Sequence, residues 1–304
     1  MRVSVLLTCY NHLRHLQLAY QSLLDQTFTE FEIIALDDGS TDGTREWLSA
    51  QTDPRLRLIF NETNLGTYAT LNVGLREAKG EFIAVLNDDD LWAPEKLAQQ
   101  VQYLDANPKA GLVHCGGWFI DGDGRRHPDP APLGFPYPRT ESGDILAAEI
   151  DHNQIIASSV LFRAPIVDSI GPFDPAYFGS GDWQMWLRIA RVADIGYLDE
   201  PLCFYRVHGA NASHQKEKIF RDDARIREWI ATWEGDASLL ARPGVKAALA
   251  HNRACLGTVY AWTGEVKKGR ANYWKSWRMM PSRMKSLARW VLSFLPAKTF
   301  RRLG

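Results

Sequence analysis

Over its first 120 residues the chain alternates short apolar runs with amphipathic stretches, and this alternation restricts the fold more than any other feature. Residues 3–7, 31–36, 56–60, 82–86 and 111–119 have the length and apolar character of strands. Between them, Leu13, Leu16, Tyr20, Leu23 and Leu24 recur at helical spacing, and Leu97, Val101 and Leu104 mark a later helix. Residues 41–50 read as a short helix after a Gly-Ser-Thr turn, and 67–79 as a longer one closed by Gly80, a residue suited to a helix C-terminus. Strands that alternate with helices specify a mostly parallel sheet covered on both faces. The expected fold class is α/β, a Rossmann-like sheet flanked by helices.

Further along, the pattern loosens. Residues 121–143 form a loop carrying Pro128, Pro130, Pro132, Pro136 and Pro138, too long for a simple connection and therefore functional or mobile. Strands are expected at 158–163, 195–198 and 202–207, with a helix at 182–193. After His214 the chain turns helical, most clearly at 220–233 and 245–262. These signals divide it into a main domain, 1–214, with halves 1–119 and 120–214, and a helical C-terminal extension, 215–304.

The formal net charge of −1 gives no reason to expect a nucleic-acid partner, but that total hides an asymmetry. Residues 266–304 hold eleven Lys or Arg and no Asp or Glu, against 24 basic and 36 acidic side chains in the first 265 residues. From Ser282 onward, Met284, Leu287, Ala288, Val291 and Leu295 share one helical face, Lys285 and Arg289 lie on the other, and Trp290 flanks the boundary. With Trp274, Trp277, Lys298, Arg301 and Arg302, this reads as an interfacial element, so residues 282–304 are expected to meet a membrane surface. A terminal helix packed on the body through the same stripe is the alternative. Cys9, Cys115, Cys203 and Cys255 lack metal-ligand spacing and read as reduced, mostly buried thiols. There is no signal-peptide pattern, and no apolar run approaches the roughly 20 residues of a membrane span. The expectation is a cytoplasmic protein, free or peripheral at the inner face of the cell membrane.

Chemistry gathers where the strands end. The first run closes in Thr8-Cys9-Tyr10-Asn11, the second in Asp37-Asp38-Gly39-Ser40-Thr41-Asp42, and the fourth in Asn87-Asp88-Asp89-Asp90. In an open parallel sheet such ends form one ligand-binding rim. Three adjacent carboxylates repel one another, and a divalent metal held by oxygen ligands is the simplest compensation. A solvated turn that caps the following helix is the plainer alternative. Carboxylates also suit ribose hydroxyls or a base N–H, and a ring suits stacking on a base, which makes Asp38 and Asp88 candidates for the hydrogen bonds. Ser40, Thr41 and Asp42 fit turn formation and helix capping.

In this order the motifs resemble glycosyltransferase family 2. The resemblance is carried by residues 3–11, Ser22-Leu23-Leu24-Asp25-Gln26-Thr27-Phe28, residues 31–42, Asn64-Leu65-Gly66, Asn72-Val73-Gly74-Leu75 and Gly80-Glu81-Phe82-Ile83. It continues through the acidic cluster into Leu91-Trp92 and Pro94-Glu95-Lys96-Leu97. It implies a GT-A fold, a nucleotide-diphosphate sugar donor with uridine as first choice, a divalent cation (Mn2+ or Mg2+) and inversion at the anomeric carbon. Position by position, the resemblance puts Thr8, Tyr10 and Asp38 at the nucleobase, Asp88 at the ribose and Asp89 at the metal. Asn11 and Asn72 join the nucleotide-sugar side. Asn87 departs from the family, many of whose members carry Asp there; an amide accepts or coordinates through its carbonyl but brings no charge.

The second half keeps part of the same resemblance. Gly171-Pro172-Phe173-Asp174 and the run from Gly179 to Arg188 are similar to an acceptor-side motif, Glu-Asp followed by an apolar helix. Gly181 replaces the Glu, while Asp182 keeps the Asp position and is the implied general base for the acceptor hydroxyl. Helix capping is its competing role. Of the neighbouring indoles, either Trp183 or Trp186 offers a platform for a sugar ring, and core packing fits Trp186 better. The run from Tyr205 to Ser213 matches a further family pattern, with His208 at the metal or diphosphate and Arg206 facing phosphate charge. The implied function is sugar transfer to a glycan or lipid-linked acceptor in cell-surface polysaccharide or glycolipid assembly. A catalytically silent sugar-nucleotide or glycan-binding module is the alternative, supported by Asn87 and Gly181. A nucleotidyltransferase would want a Gly-rich, basic phosphate loop that residues 8–15 do not supply.

Overall fold

The computed structural model describes residues 1–209 and 211–295. They fall into two compact units, one formed by residues 1–145 and 154–216, the other by residues 146–153 and the chain from 217 onward. The first unit is built on one eight-stranded sheet. Its strands are β1 (Val3–Cys9), β2 (Phe31–Asp37), β3 (Leu56–Phe60), β4 (Phe82–Asn87), β5 (Leu91–Trp92), β6 (Ala110–Ile120), β7 (Leu161–Arg163) and β8 (Asp194–Arg206). They lie in the order β3-β2-β1-β4-β7-β6-β8-β5. The half that includes β1 to β4 is parallel, and β7 enters antiparallel between β4 and β6.

Register positions the site. Thr8 pairs with Asn87, and Cys9 with Asp37, so the three strands end at one rim. Val5, Leu7, Ile33, Ala35, Ala84 and Leu86 are fully buried, as expected of strands covered on both faces. Helix α1 (Leu13–Leu24) covers them with Leu16, Ala19, Tyr20 and Leu23. Each such large side chain contributes about 1.5–3 kcal/mol of burial, so the rim stands on a rigid base. Helices α2 (Thr44–Ser49), α3 (Thr67–Glu77) and α4 (Lys96–Ala106) follow β2, β3 and β5.

Three local expectations change. Helix α3 ends at Glu77 with Ala78 as its cap, and Gly80 serves instead the approach of β4 to β1, where a Cβ would lie 2.5 Å from the Ser4 backbone nitrogen. The strand expected at 158–163 is a single 3-10 turn followed by the shorter β7. The two strands expected near 195–207 are one long strand, β8, whose register against β6 shifts around Cys115 and Gly116.

The second unit is helical: α5 (Leu146–Asp151), then, after α6 (Ile166–Ile170) and α7 (Gly181–Val192) of the first unit, α8 (Lys216–Ile230), α9 (Ala237–Leu240), α10 (Val245–Trp262), α11 (Val266–Met279) and α12 (Met284–Leu292). Helix α12 turns its apolar side outward. Met284 is 62% exposed and Val291 55%, as is Phe294 just past the helix at 58%, whereas Ser286 and the C-terminal Ser293 are buried. The buried serines are bonded inward, Ser286 to Ser276 Oγ at 2.9 Å and the Ser293 carbonyl to Arg270 at 2.8 Å. Trp274, Trp277, Trp290 and Phe294 form a chain of ring contacts 4.9–5.3 Å apart between α11 and α12. Lys298, Arg301 and Arg302 lie outside the described residues.

Candidate active site

The acidic end of β4 is arranged around the loop that follows β1. Asp88 is buried, accepts the Tyr10 N–H at 2.7 Å, and lies 3.0 Å from His12 Nδ1. Burial pushes its carboxyl up to about 6, against the opposing pull of His12. The hydrogen bond with Asp88 in turn raises the His12 imidazole, while burial lowers His15 to about 4. Asp89 Oδ2 accepts from Asn211 at 3.1 Å and lies 3.1 Å from His208 Nε2. Asp90 is fully buried, bonded to the Ser158 hydroxyl and to the Arg206 N–H, and burial raises its carboxyl well above the usual range.

Among the described residues, no Lys or Arg forms a salt bridge with Asp88, Asp89 or Asp90. Arg206, expected to face phosphate, is fully buried and donates to the backbone carbonyls of Asp89, Asp121 and Gly122. It holds the acidic loop in place from behind. His12, Asp88 and Asp89 offer ligand atoms that all lie within 4.8 Å of one another, which fits a cation. Two carboxylates with imidazole nearby suit a first-row divalent ion, and the raised proton affinity of Asp88 is the charge stress that such an ion relieves.

The end of β2 is organised differently. Asp37 is buried and bonded by Arg45 Nε at 2.6 Å. Asp38 accepts from Asn61 at 2.9 Å, Leu65 N–H at 2.8 Å, Gly66 N–H at 2.9 Å and the Thr70 hydroxyl at 2.7 Å. A carboxylate has about four lone-pair sites, so Asp38 is saturated and tethers the start of α3. Asn11 stitches the β1 and β2 loops together from a left-handed backbone (φ 55°), accepting the Thr41 N–H at 2.8 Å and donating its own N–H to Ser40 Oγ at 3.0 Å. Asp42 caps the first residue of α1 by accepting the Leu13 N–H at 2.9 Å. Thr8 donates to Asn87 Oδ1 at 3.2 Å, and Tyr10 leaves its ring 44% exposed at the rim.

Asp182 sits in the first turn of α7, where its Oδ1 accepts the Trp183 N–H at 2.7 Å and the Tyr68 hydroxyl at 3.4 Å. Trp183 and Trp186 are both buried, so neither offers an open platform for a sugar. Asn72 is engaged with the backbone of Phe173, donating to its carbonyl at 2.8 Å and accepting its N–H at 2.9 Å. Burial raises the Tyr205 hydroxyl, and the charges of Asp90, Asp89 and Asp182 act in the same sense. The loop 121–143 is anchored to the sheet where Thr140 meets buried His114 at 2.8 Å. His12, Tyr68, Ser158 and Asn211 carry the arrangement without having been singled out in the sequence. An imidazole next to a strand-end Tyr-Asn was the available signal for His12.

Residues 4–166, more than half of the chain, match the family model for Glycosyl transferase family 2. The chain belongs to this family. An uncharacterized glycosyltransferase of Nostoc sp. is 30% identical over 220 residues, covering 69% of this chain and 66% of its own length. An uncharacterized protein of Mycobacterium tuberculosis is 32% identical over 268 residues, covering 86% and 73%. Among solved structures, S. aureus TarS 1–349 in complex with UDP-GlcNAc superposes with a TM-score of 0.68 at 19% identity, covering 94% of this chain and 84% of that one. The mannosyltransferase PcManGT of Pyrobaculum calidifontis, in complex with GDP-Man and Mn2+, gives 0.63 at 21% identity, covering 98% and 82%. The fold of this family member is therefore GT-A, an α/β sheet flanked by helices with a helical C-terminal region.

Proposed function

We propose that this chain transfers a sugar, with inversion, from a nucleotide-diphosphate donor, UDP-linked as first choice, to a hydroxyl of a glycan or lipid-linked acceptor. The observation that carries the reading is the acidic end of β4, where His12, Asp88 and Asp89 are grouped beside the exposed Tyr10. Tyr10 stacks on the base, and Asp88, which retains lone pairs beyond those facing Tyr10 and His12, accepts from the ribose. Thr8, Asn11 and Asp38 shape the base pocket through the loops they hold, and Asn72 supports the acceptor side through Phe173. Asp89, Asp88 and His12 would hold Mn2+ or Mg2+, with His208 beside Asp89. A bound cation supplies positive charge for the departing diphosphate. Asp182 takes the proton of the attacking hydroxyl, and its place at a helix start favours its charged form.

Asp182→Asn is expected to keep nucleotide affinity while nucleotide release from the donor falls by about two orders of magnitude or more. UDP-GlcNAc and GDP-mannose are the donors to assay, because structurally similar transferases bind them. Normal turnover in that variant removes Asp182 from the chemistry, and a native protein inert toward every nucleotide sugar returns the chain to the silent binding module.

The acceptor reading extends to the C-terminal helices. The outward apolar side of α12, the Trp274–Trp277–Trp290 ring chain and the excess of basic residues after 265 support contact with an anionic membrane surface, in line with assembly of cell-surface glycans. Among the described residues no helix is long and apolar enough to cross a membrane. The native protein is expected to sediment with vesicles containing anionic lipid and not with purely zwitterionic ones, and Met284→Gln/Val291→Gln is expected to weaken that binding at least about tenfold. Sedimentation unaffected by lipid charge and by these substitutions would leave α12 without that role.

A further inference from the structure

Gly181 opens α7 with an ordinary negative-φ backbone, so its dihedral angles do not require glycine. Space does. A Cβ at 181 would lie 2.8 Å from two ring carbons of Tyr68. Tyr68 comes from the first turn of α3 and is 5% exposed. Its hydroxyl reaches Asp182 Oδ1 at 3.4 Å, and the Trp183 N–H reaches the same oxygen at 2.7 Å. The Trp183 N–H holds that oxygen, and the Tyr68 hydroxyl approaches it from α3 at a distance longer than a full O–H···O hydrogen bond. The longer of the two contacts is of the kind that tightens when substrate binds.

Tyr68 is itself held firmly. Its ring stacks on Phe173 at 5.8 Å and 26°. One turn further along the same face of α3, Asn72 grips the Phe173 backbone on both its N–H and its carbonyl. At the start of α3, Asp38 binds Leu65, Gly66 and Thr70. The end of β2 is thus tied to α3 through Asp38, and α3 to Asp182 through Asn72, Phe173 and Tyr68.

We infer that Tyr68 is the positioning residue of Asp182, its ring filling the space beside Gly181 and its hydroxyl fixing the direction of the carboxylate. This rests on the reading of Asp182 as general base. It also gives Gly181 a physical reason, since a side chain there and the Tyr68 ring exclude each other. A phenol donating to a carboxylate favours the charged, proton-accepting form.

Tyr68→Phe keeps the ring and removes the donor. With turnover read as nucleotide release from UDP-GlcNAc or GDP-mannose, kcat is expected to fall about tenfold, as for loss of a hydrogen bond to a charged group. The acid limb of the kcat/KM profile is expected to move to higher pH, with nucleotide affinity and Tm unchanged. A double-mutant cycle tests the packing: Gly181→Ala lowers kcat in the native background and adds nothing in a Tyr68→Ala background. Native kcat with an unmoved acid limb in Tyr68→Phe, or additive effects in the cycle, overturn the inference. Normal turnover in Asp182→Asn would instead remove the base itself, so the two failures are distinguishable.

Discussion

Two acidic strand ends face the same rim, and they balance their charge in opposite ways. Asp37 and Asp38, at the end of β2, are neutralised from within: Arg45 binds the first, and four donors from residues 61–70 saturate the second. Asp88, Asp89 and Asp90, after β4, have imidazoles, amides and a hydroxyl around them, and no Lys or Arg salt bridge among the described residues. The first pair behaves as structure, holding loops. The second is stressed by burial, which raises both Asp88 and Asp90, and under the proposed function a cation and a ribose hydroxyl would relieve that stress. The difference is one of direct pairing: Arg45 binds the Asp37 carboxylate, whereas the Arg206 guanidinium near Asp89 and Asp90 is spent on backbone carbonyls.

The largest effect is expected at Asp89. Asp89→Asn is expected to lower turnover by roughly a hundredfold or more, from the lost electrostatic stabilisation of the leaving group, while folding stability holds or rises as like-charge repulsion falls. Asp38→Asn should do the reverse. Its amide sets N–H groups against at least one present donor, so stability is expected to drop by about 2 kcal/mol, measured by urea denaturation. Loss of stability at Asp89 with none at Asp38 would invert the account.

A buried charge of opposite sign sharpens the same point. Lys96 is fully buried with Gln100 at 2.8 Å and its ammonium 3.7 Å over the Trp92 ring, and burial lowers it from 10.5 to about 8. The unfolded chain holds this proton more tightly, so Lys96 contributes a rise in stability as pH climbs from about 8 to 10.5. Below that window its cost is present in full, roughly 3 kcal/mol at most. Relative to native protein, Lys96→Met is expected to be most favourable near pH 7, with its advantage shrinking above pH 8. A difference constant from pH 7 to 10 would place the Lys96 charge outside the stability balance.

Much of this was legible in the sequence because the parallel strands are covered on both faces and write themselves as apolar runs. The 56–60 strand and the 245–262 helix coincide with β3 and α10. The acidic cluster and Asp182 announced themselves by residue type and motif order. What stayed hidden depends on register or on contacts between distant segments. His12 meets Asp88 because Thr8 pairs with Asn87, which brings the loop after β1 beside the end of β4. Tyr68 meets Asp182 across 114 positions, and only the close approach at Gly181 records it. Arg206 looked like a phosphate ligand because residue type cannot reveal that its donors already serve three backbone carbonyls. The stripe on α12 was visible, but its outward direction came from Ser286 and Ser293 being bonded inward.

The most direct test is a calorimetric titration of Mn2+ into native protein, Asp38→Asn and Asp89→Asn, each saturated with UDP. One Mn2+ per chain is expected for the native protein and for Asp38→Asn, and no measurable binding for Asp89→Asn. Equal binding by both variants, or a native protein that takes up no Mn2+, would contradict that expectation.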